Sequence, residues 1–391
     1  MLNKFIKLFA ASSLLLILAG CNNAVVRINP VSPIYSSLKQ PDQFRYKYIA
    51  GGEIPQGNLL WKYRTGGGIS SSPCYYDGNI YIGSKDGNLY SLNATTGYLN
   101  WKYKSDSSIA DSSPEVSGNY VYIGYEDGKL LAIDINSGKK VWDFLANGAI
   151  YSSPDAYKNN VYFGSRDKRV YCLDGVTGSL KWSFKTSGPV DSSPTILNDI
   201  LYIGSYDGNV YALNTNTGRL IWSYSTQDAV ISNPIVNDNT LYIGSIDKNF
   251  YAINIKDGSL KWKKQLSGII SGTAAFHCEA GVKEAALPAR NSFHNNQIII
   301  GDGKGILYSV NAENGKIAWQ SNTSGSIFAS PVIINNIVYI SSGDGHLYAF
   351  NSLTGENIWK FNATEPAFSS PIINKGVVYF GADSGQIYAI K

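Results

Sequence analysis

Several kinds of residue and motif are scarce in this chain, and each scarcity removes a class of function. Three histidines in 391 residues leave little for a metal centre. The four cysteines, Cys21, Cys74, Cys172 and Cys278, include no adjacent pair, and no Cys-x-x-Cys-His is present, so no c-type haem attachment is encoded. No basic run marks a nucleic-acid surface, the formal net charge being only +4. No apolar stretch is long enough to cross a bilayer; Leu8 to Leu18 is too short. No nucleophile–base constellation stands out, and the glycines sit in hairpin turns rather than in a phosphate-binding loop. With 44% hydrophobic and 16% charged residues, the chain is neither disordered nor highly charged and can bury a large core.

Abundance lies in 39 Gly, 28 Tyr and a strictly placed set of 8 Trp. Trp61, Trp101, Trp142, Trp182, Trp222, Trp262, Trp319 and Trp359 are separated by 40, 41, 40, 40, 40, 57 and 40 residues. A fixed period near 40 marks an array of one supersecondary unit. The unit at Val190 to Trp222 shows its content. Val190 to Leu197 reads as strand A, and Asn198-Asp199 tolerates left-handed backbone in a turn. Ile200 to Gly204 is β-branched and aromatic, as strand B should be. Asp207-Gly208 is a hairpin signal, because the turn needs positive φ. Val210 to Leu213 is strand C, and Arg219 to Tyr224 carries the Trp on strand D. Four short antiparallel strands in about 40 residues make one blade of a β-propeller.

A Ser-Pro marker, Asn-Pro at Pro234, recurs at Pro73, Pro114, Pro154, Pro194, Pro234, Pro331 and Pro371, with a degenerate copy whose Pro slot is Ala274. That gives eight blades. The last unit ends at Lys391 without a Trp strand, while the Trp61 strand precedes any marker. The Trp61 strand is therefore expected to complete blade eight and close the ring, since an open array would expose strand edges. The tryptophans and Gly83, Gly124, Gly164, Gly204, Gly244 and Gly381 are expected to pack blade on blade. The one long gap places an insertion at about 277–296, between strands A and B of blade six, where it would partly cover one mouth of the channel. It carries His277, Cys278, Glu279, Glu284, Arg290 and His294. His277, Cys278 and His294 could ligate a metal, but their spacing matches no zinc pattern, so none is expected and the alternative is a polar loop. Cys172 takes the place of an Ala on strand C and reads as a buried small residue; a Cys74–Cys278 disulfide would join distant blades and is not expected. Asp86, Asp127, Asp167, Asp207, Asp247 and Asp344 mark the B–C turns of the opposite face. Turn chemistry explains them, and an acidic ring facing a basic partner is the other reading.

Met1 to Gly20 reads as a targeting segment with Lys4 and Lys7 ahead of the apolar run. Leu18-Ala19-Gly20-Cys21 resembles the bacterial lipoprotein box, which implies lipidation, palmitate included, at Cys21. Two or three acyl chains anchor stably. Asn22 after the Cys leans towards the outer membrane, facing the periplasm in a Gram-negative envelope. Residues 21–57, with Pro30, Pro33, Pro41 and Pro55, form a tether to a propeller at 58–391; Phe44 to Ile49 could dock as an extra strand.

The pattern Tyr-Ala-Leu-Asn-x-x-Thr-Gly-x-x-x-Trp, at Tyr211 to Trp222, resembles the repeat of pyrroloquinoline-quinone-type propellers. The resemblance covers about Asn58 to Lys391. It implies an all-β, eight-bladed propeller of the quinoprotein alcohol dehydrogenase type. Quinone-binding members typically have a vicinal Cys-Cys disulfide, a stacking Trp and an Asp–Glu–Asn calcium site. Here no Cys pair is adjacent and no Trp lies outside the repeat register, so no cofactor is expected. A lipoprotein with this ring looks like the BamB-type subunit of the outer-membrane β-barrel assembly machinery. That resemblance implies a non-enzymatic periplasmic scaffold, a monomeric ring that binds the barrel-assembly protein. A generic envelope propeller binding another protein or a glycan, and a quinone-dependent dehydrogenase, are the alternatives; fold alone does not choose.

Overall fold

A computed structural model describes residues 54–109, 111–277 and 296–391, together with the backbone of Tyr48–Ile49. Eight sheets of four antiparallel strands follow one another round a ring, the eighth being joined by a fifth, short strand. In blade four the strands are Thr195–Leu197 (A), Ile200–Gly204 (B), Asn209–Asn214 (C) and Leu220–Ser225 (D). Strand A is shorter than its sequence suggests. Pro194 has no N–H to give a ladder, and the two serines before it spend their polar groups on other partners. The A–B turn uses left-handed Asn198 and Asp199, with φ of 50° and 62°. In every blade the C–D pairing slips just before the Trp: Leu213 faces Leu220 but Ala212 faces Trp222. The extra residue is a β-bulge, which twists the outer strand and re-aims the side chain that follows.

The ring closes as the sequence indicates. Leu59–Arg64 pairs antiparallel with the last strand, Trp61 facing Ala389 and Tyr63 facing Ile387. Tyr48–Ile49 adds a parallel strand on the inner edge of the same sheet, against Ile373 and Asn374. Residues 44–47 lie outside the described residues.

A strands of neighbouring blades approach one another around the axis, and D strands form the rim, with alternating exposed residues such as those of Leu59–Arg64. The apolar core lies between blades, not within them. Tyr202, Val210, Ala212 and Trp222 of blade four pack against Val236, Leu241, Ile243 and Tyr251 of blade five. Glycine in strand B permits this approach: a Cβ on Gly204 would stand 2.4 Å from Val230 Cγ1. Because strands alternate in direction, A–B and C–D turns share one face, and B–C turns share the other with the D–A connections.

Candidate binding face at the channel mouth

The eight tryptophans are seams. Seven of the indoles lie against a glycine of a C–D turn one blade on, as Trp182 does against Gly218, whose φ is +68°, and Trp359 lies against Gly57 instead. The indole N–H of those seven also donates to a carbonyl of that turn; Trp182 reaches Thr215 at 2.8 Å. In several blades a strand-B tyrosine donates to the same carbonyl, as Tyr122 and Trp142 both do to Gly175, each at 3.0 Å.

The Ser-Ser-Pro marker has a double use. The first serine clamps its own blade: Gly204 N–H donates to Ser192 Oγ at 3.1 Å, and Gly83, Gly124, Gly164, Gly244 and Gly381 do likewise to their serines. The second serine links blades. Ser72 N–H donates to Ser113 Oγ, Ser113 to Ser153, and Ser153 to Ser193, each at 2.9 Å. Ser193 N–H donates to Asn233 Oδ1, whose amide donates to Thr273 Oγ1. Thr273 continues to Ser330, Ser330 to Ser370, and Ser370 back to Ser72. Eight hydrogen bonds thus make a closed girdle round the channel, a feature that reading the marker as punctuation missed.

The aspartates of the B–C turns are bound up in those turns. Asp207 accepts from Asn209 N–H at 3.0 Å, from Ser187 N–H at 2.8 Å and from the Tyr211 hydroxyl at 2.8 Å. Asp86, Asp247 and Asp344 repeat the pattern with Tyr90, Tyr251 and Tyr348. Asp167 accepts from Asn147 N–H and Tyr171. Asp127 lacks the tyrosine and pairs with Lys129 at 2.6 Å. Burial would raise the Asp86, Asp207, Asp247 and Asp344 carboxyls, but the donated hydrogen bonds prevail and hold them low. Asp302, two positions early in blade six, does the same work, accepting from Gly268 N–H, Lys304 N–H and Tyr308.

What remains free on this face lies in two slots per blade. One is three residues before the Pro slot; the other precedes the turn aspartate. The Ser-Ser positions beside the first are nearly uniform, whereas the two slots change chemistry from blade to blade. Residues of the second slot meet residues of the first on the next blade. Arg166 forks onto Asp191 at 2.8–3.2 Å and lies 4.1 Å from the Tyr151 ring centroid and 5.9 Å from that of Tyr206. The ion pair raises the Arg166 pKa, so the guanidinium stays charged. Lys85 pairs with Asp383 at 3.1 Å. Asp111, open to solvent but walled by protein, has its pKa raised, first by desolvation. Across the mouth, Phe328 and Phe368 lie 5.7 Å apart, and ideal Cβ positions on Gly303 and Gly343 fall 3.2 and 3.0 Å from their rings.

His277 ends strand A of blade six, buried, with Nε2 3.1 Å from Asn336 Oδ1 and 3.4 Å from Ser352 Oγ. Cys278, Glu279, Glu284, Arg290 and His294 lie outside the described residues, as does Cys21. The insertion springs from the C–D face, so the mouth of the B–C face is a different surface. Cys74 and Cys172 are buried, and burial pushes the Cys172 thiol up to about 12. Among the described residues no group of three His, Cys, Asp or Glu side chains is placed to hold a metal ion, and no helix is long and apolar enough to cross a membrane. A pyrroloquinoline quinone does not fit the residues present. Seven indoles lie on C–D turns of the other face and Trp359 on the Pro55–Gly57 segment, leaving none to cover a quinone, and Cys74 and Cys172 lie on different blades.

A family model described as the outer membrane protein assembly factor BamB matches residues 49–148. One described as the β-propeller of a beta-alanine-activating enzyme matches residues 197–391. No curated protein sequence matches. Among solved structures, the computationally designed Ika8 protein is similar at 18% identity and TM-score 0.72, over 86% of this chain and 99% of that one. BamB from Moraxella catarrhalis is similar at 17% identity and TM-score 0.72, over 85% and 99%. Quinohemoprotein alcohol dehydrogenase from Comamonas testosteroni is similar at 16% identity and TM-score 0.72, over 88% and 78%. At such identities structural likeness speaks for the ring alone. Repeats, ring and family match together make the chain an eight-bladed β-propeller of pyrroloquinoline-quinone-like repeats that resembles BamB.

Proposed function

We propose that the protein is a non-enzymatic scaffold of the cell envelope, lipid-anchored through Cys21, which holds a protein partner in outer-membrane β-barrel assembly. One observation carries this reading. The repeated polar groups are consumed in closing the ring, and the side chains that vary between blades converge on one open face. That is the arrangement of a binding surface on a rigid frame. The match of the BamB model to residues 49–148 supports the assembly context. The mouth brings together ion pairs and aromatic rings, not a nucleophile with its base. The likeness to the alcohol dehydrogenase is one of ring shape.

The test is a pull-down with the full lipidated chain from detergent-solubilised envelopes. Recovery of the barrel-assembly protein supports the scaffold. Recovery of no barrel-assembly component, with other envelope proteins retained, overturns it. Anchoring is tested separately by labelled palmitate, whose incorporation should vanish in Cys21→Ser.

A further inference from the structure

The mouth of the B–C face is divided in two. Blades one to four contribute Lys85, Asp111, Glu126 and the Arg166–Asp191 pair with its two tyrosines. Lys85 is satisfied by Asp383, and Arg166 by Asp191. Asp111 and Glu126 are both exposed, and neither has an ion-pair partner among the described residues, so this arc carries surplus negative charge. The charges share one neighbourhood: Asp111 lies within electrostatic reach of Lys85, Asp191, Arg166 and Glu126, and Tyr151 within reach of Glu126 and Asp111. The opposite arc is apolar. Phe328 is 38% exposed and lies beside the half-buried Phe368 with the rings tilted by 33°, and Gly303 and Gly343 leave their rings uncovered by side chains from the neighbouring turns. Among the described residues, the exposed large apolar side chains outside the C–D turns and the start of the D strands are Ile54, Leu145, Tyr206 and Phe328, and of these Tyr206 and Phe328 occupy the two variable slots of the mouth.

We propose that this mouth docks an extended segment of a partner protein, which sets a basic side chain against Asp111 and Glu126 and an apolar side chain against Phe328 and Phe368. Charge complementarity selects the basic residue, and Tyr151 and Tyr206 offer rings along its aliphatic stem. Exposed aromatic anchors beside surplus charge are the usual makings of a hot spot. A rigid frame loses little order on binding, so the cost falls on the incoming segment. This inference rests on the scaffold reading for its partner, but not for its site.

The experiment uses the full chain and three fluorescein-labelled decapeptides: one alternating Lys and Phe with serine spacers, one with Glu for Lys, one with Ala for Phe. Fluorescence anisotropy at low and at 0.3 M salt reports binding. The Lys-Phe peptide should bind at least ten-fold tighter than either control and weaken with salt. Asp111→Asn with Glu126→Gln should weaken it ten-fold or more and remove the salt dependence. Phe328→Ser with Phe368→Ser should weaken it similarly while keeping that dependence. Asp257→Asn, an exposed carboxylate of a C–D turn on the other face, should change nothing. Unchanged thermal midpoints exclude misfolding. Equal binding of the Glu peptide, or unchanged binding in both double variants, overturns the proposal. So does tight binding only after residues 22–53 are removed, which would show that the chain's own tether is the occupant. If envelope pull-downs recover a partner that both double variants still hold, the scaffold stands and this site falls. If the peptides behave as expected but no barrel-assembly component is recovered, the site stands and the scaffold reading falls.

Discussion

The indole N–H of Trp359 donates to the carbonyl of Pro55, 2.9 Å away and 304 positions earlier in the chain. In the other blades that carbonyl belongs to the C–D turn of the next sheet. Blade eight has no such turn, because its strand C runs to Ile390 near the end of the chain. The segment before Leu59 replaces it, and Gly57, at φ +87°, lies under the Trp359 ring as Gly218 lies under Trp182. The imitation is incomplete. Tyr339, beside Trp359, has a buried hydroxyl with no partner among the described residues, where Tyr122 and Tyr162 reach the turn carbonyl.

Deleting Ile54–Gly57 should therefore lower stability by about 1–3 kcal/mol, the cost of leaving a buried donor unpaired. The midpoint of urea denaturation reads this. Trp359→Phe should cost less in the deleted protein than in the intact one. Equal costs in both would show that Pro55 contributes nothing to the seam.

The glycines under the indoles make a second case. Gly218→Ala would place a Cβ 2.6 Å from Trp182, at φ +68°. Gly118, at φ +57°, has nothing within 4 Å of that position. Gly118→Ala should cost about 1 kcal/mol from backbone strain alone. Gly218→Ala should cost about 1–3 kcal/mol more from overpacking, and should quench or shift tryptophan fluorescence.

Ser193→Ala removes the acceptor for the buried Ser153 N–H. A loss of about 1–3 kcal/mol is expected. Amide exchange at Ser153 should accelerate. Ser193→Asn should restore much of the loss, because Asn233 fills that slot in the next blade.

Acid should weaken the ring. Asp86, Asp207, Asp247 and Asp344 have folded pKa values below the ordinary one. The unfolded chain then takes up protons first. The stabilisation is whole above about pH 4 and is lost as pH falls through the lowered folded values. Asp207→Asn should reduce the slope of denaturation midpoint against pH below 4.

The Cys172 thiol, pushed up to about 12, should resist iodoacetamide at pH 8 in the native protein and react once the chain is unfolded. Mass spectrometry of the alkylated peptide distinguishes the two.

The legible features were those each repeat states for itself. The period of the tryptophans, the Asp-Gly turns and the missing eighth D strand were enough to place Leu59 against Ile390. Strand A is shorter than its composition implies, because Val190 to Pro194 has strand composition while its hydrogen bonds go elsewhere. Asp302 escaped because it stands in the serine slot, two positions before the aspartate it replaces; Tyr308 nearby was the available signal. The mouth is not legible in the repeat, because its residues are the ones that differ from blade to blade. A comparison of the same slot across blades would have set Asp111, Tyr151, Asp191, Phe328 and Phe368 side by side.

Local chemistry by itself settled the unit, its number and its closure, because turn residues, β-branched runs and a spare Trp strand act over short range and repeat eight times. Which variable side chains become neighbours was decided only when the ring bent round. Arg166 meets Asp191 because the second slot of one blade adjoins the first slot of the next, and Phe328 meets Phe368 because the first slots, on the D–A connections, crowd towards the axis. That adjacency follows from the curvature of a closed circle of sheets, and no forty-residue stretch contains it.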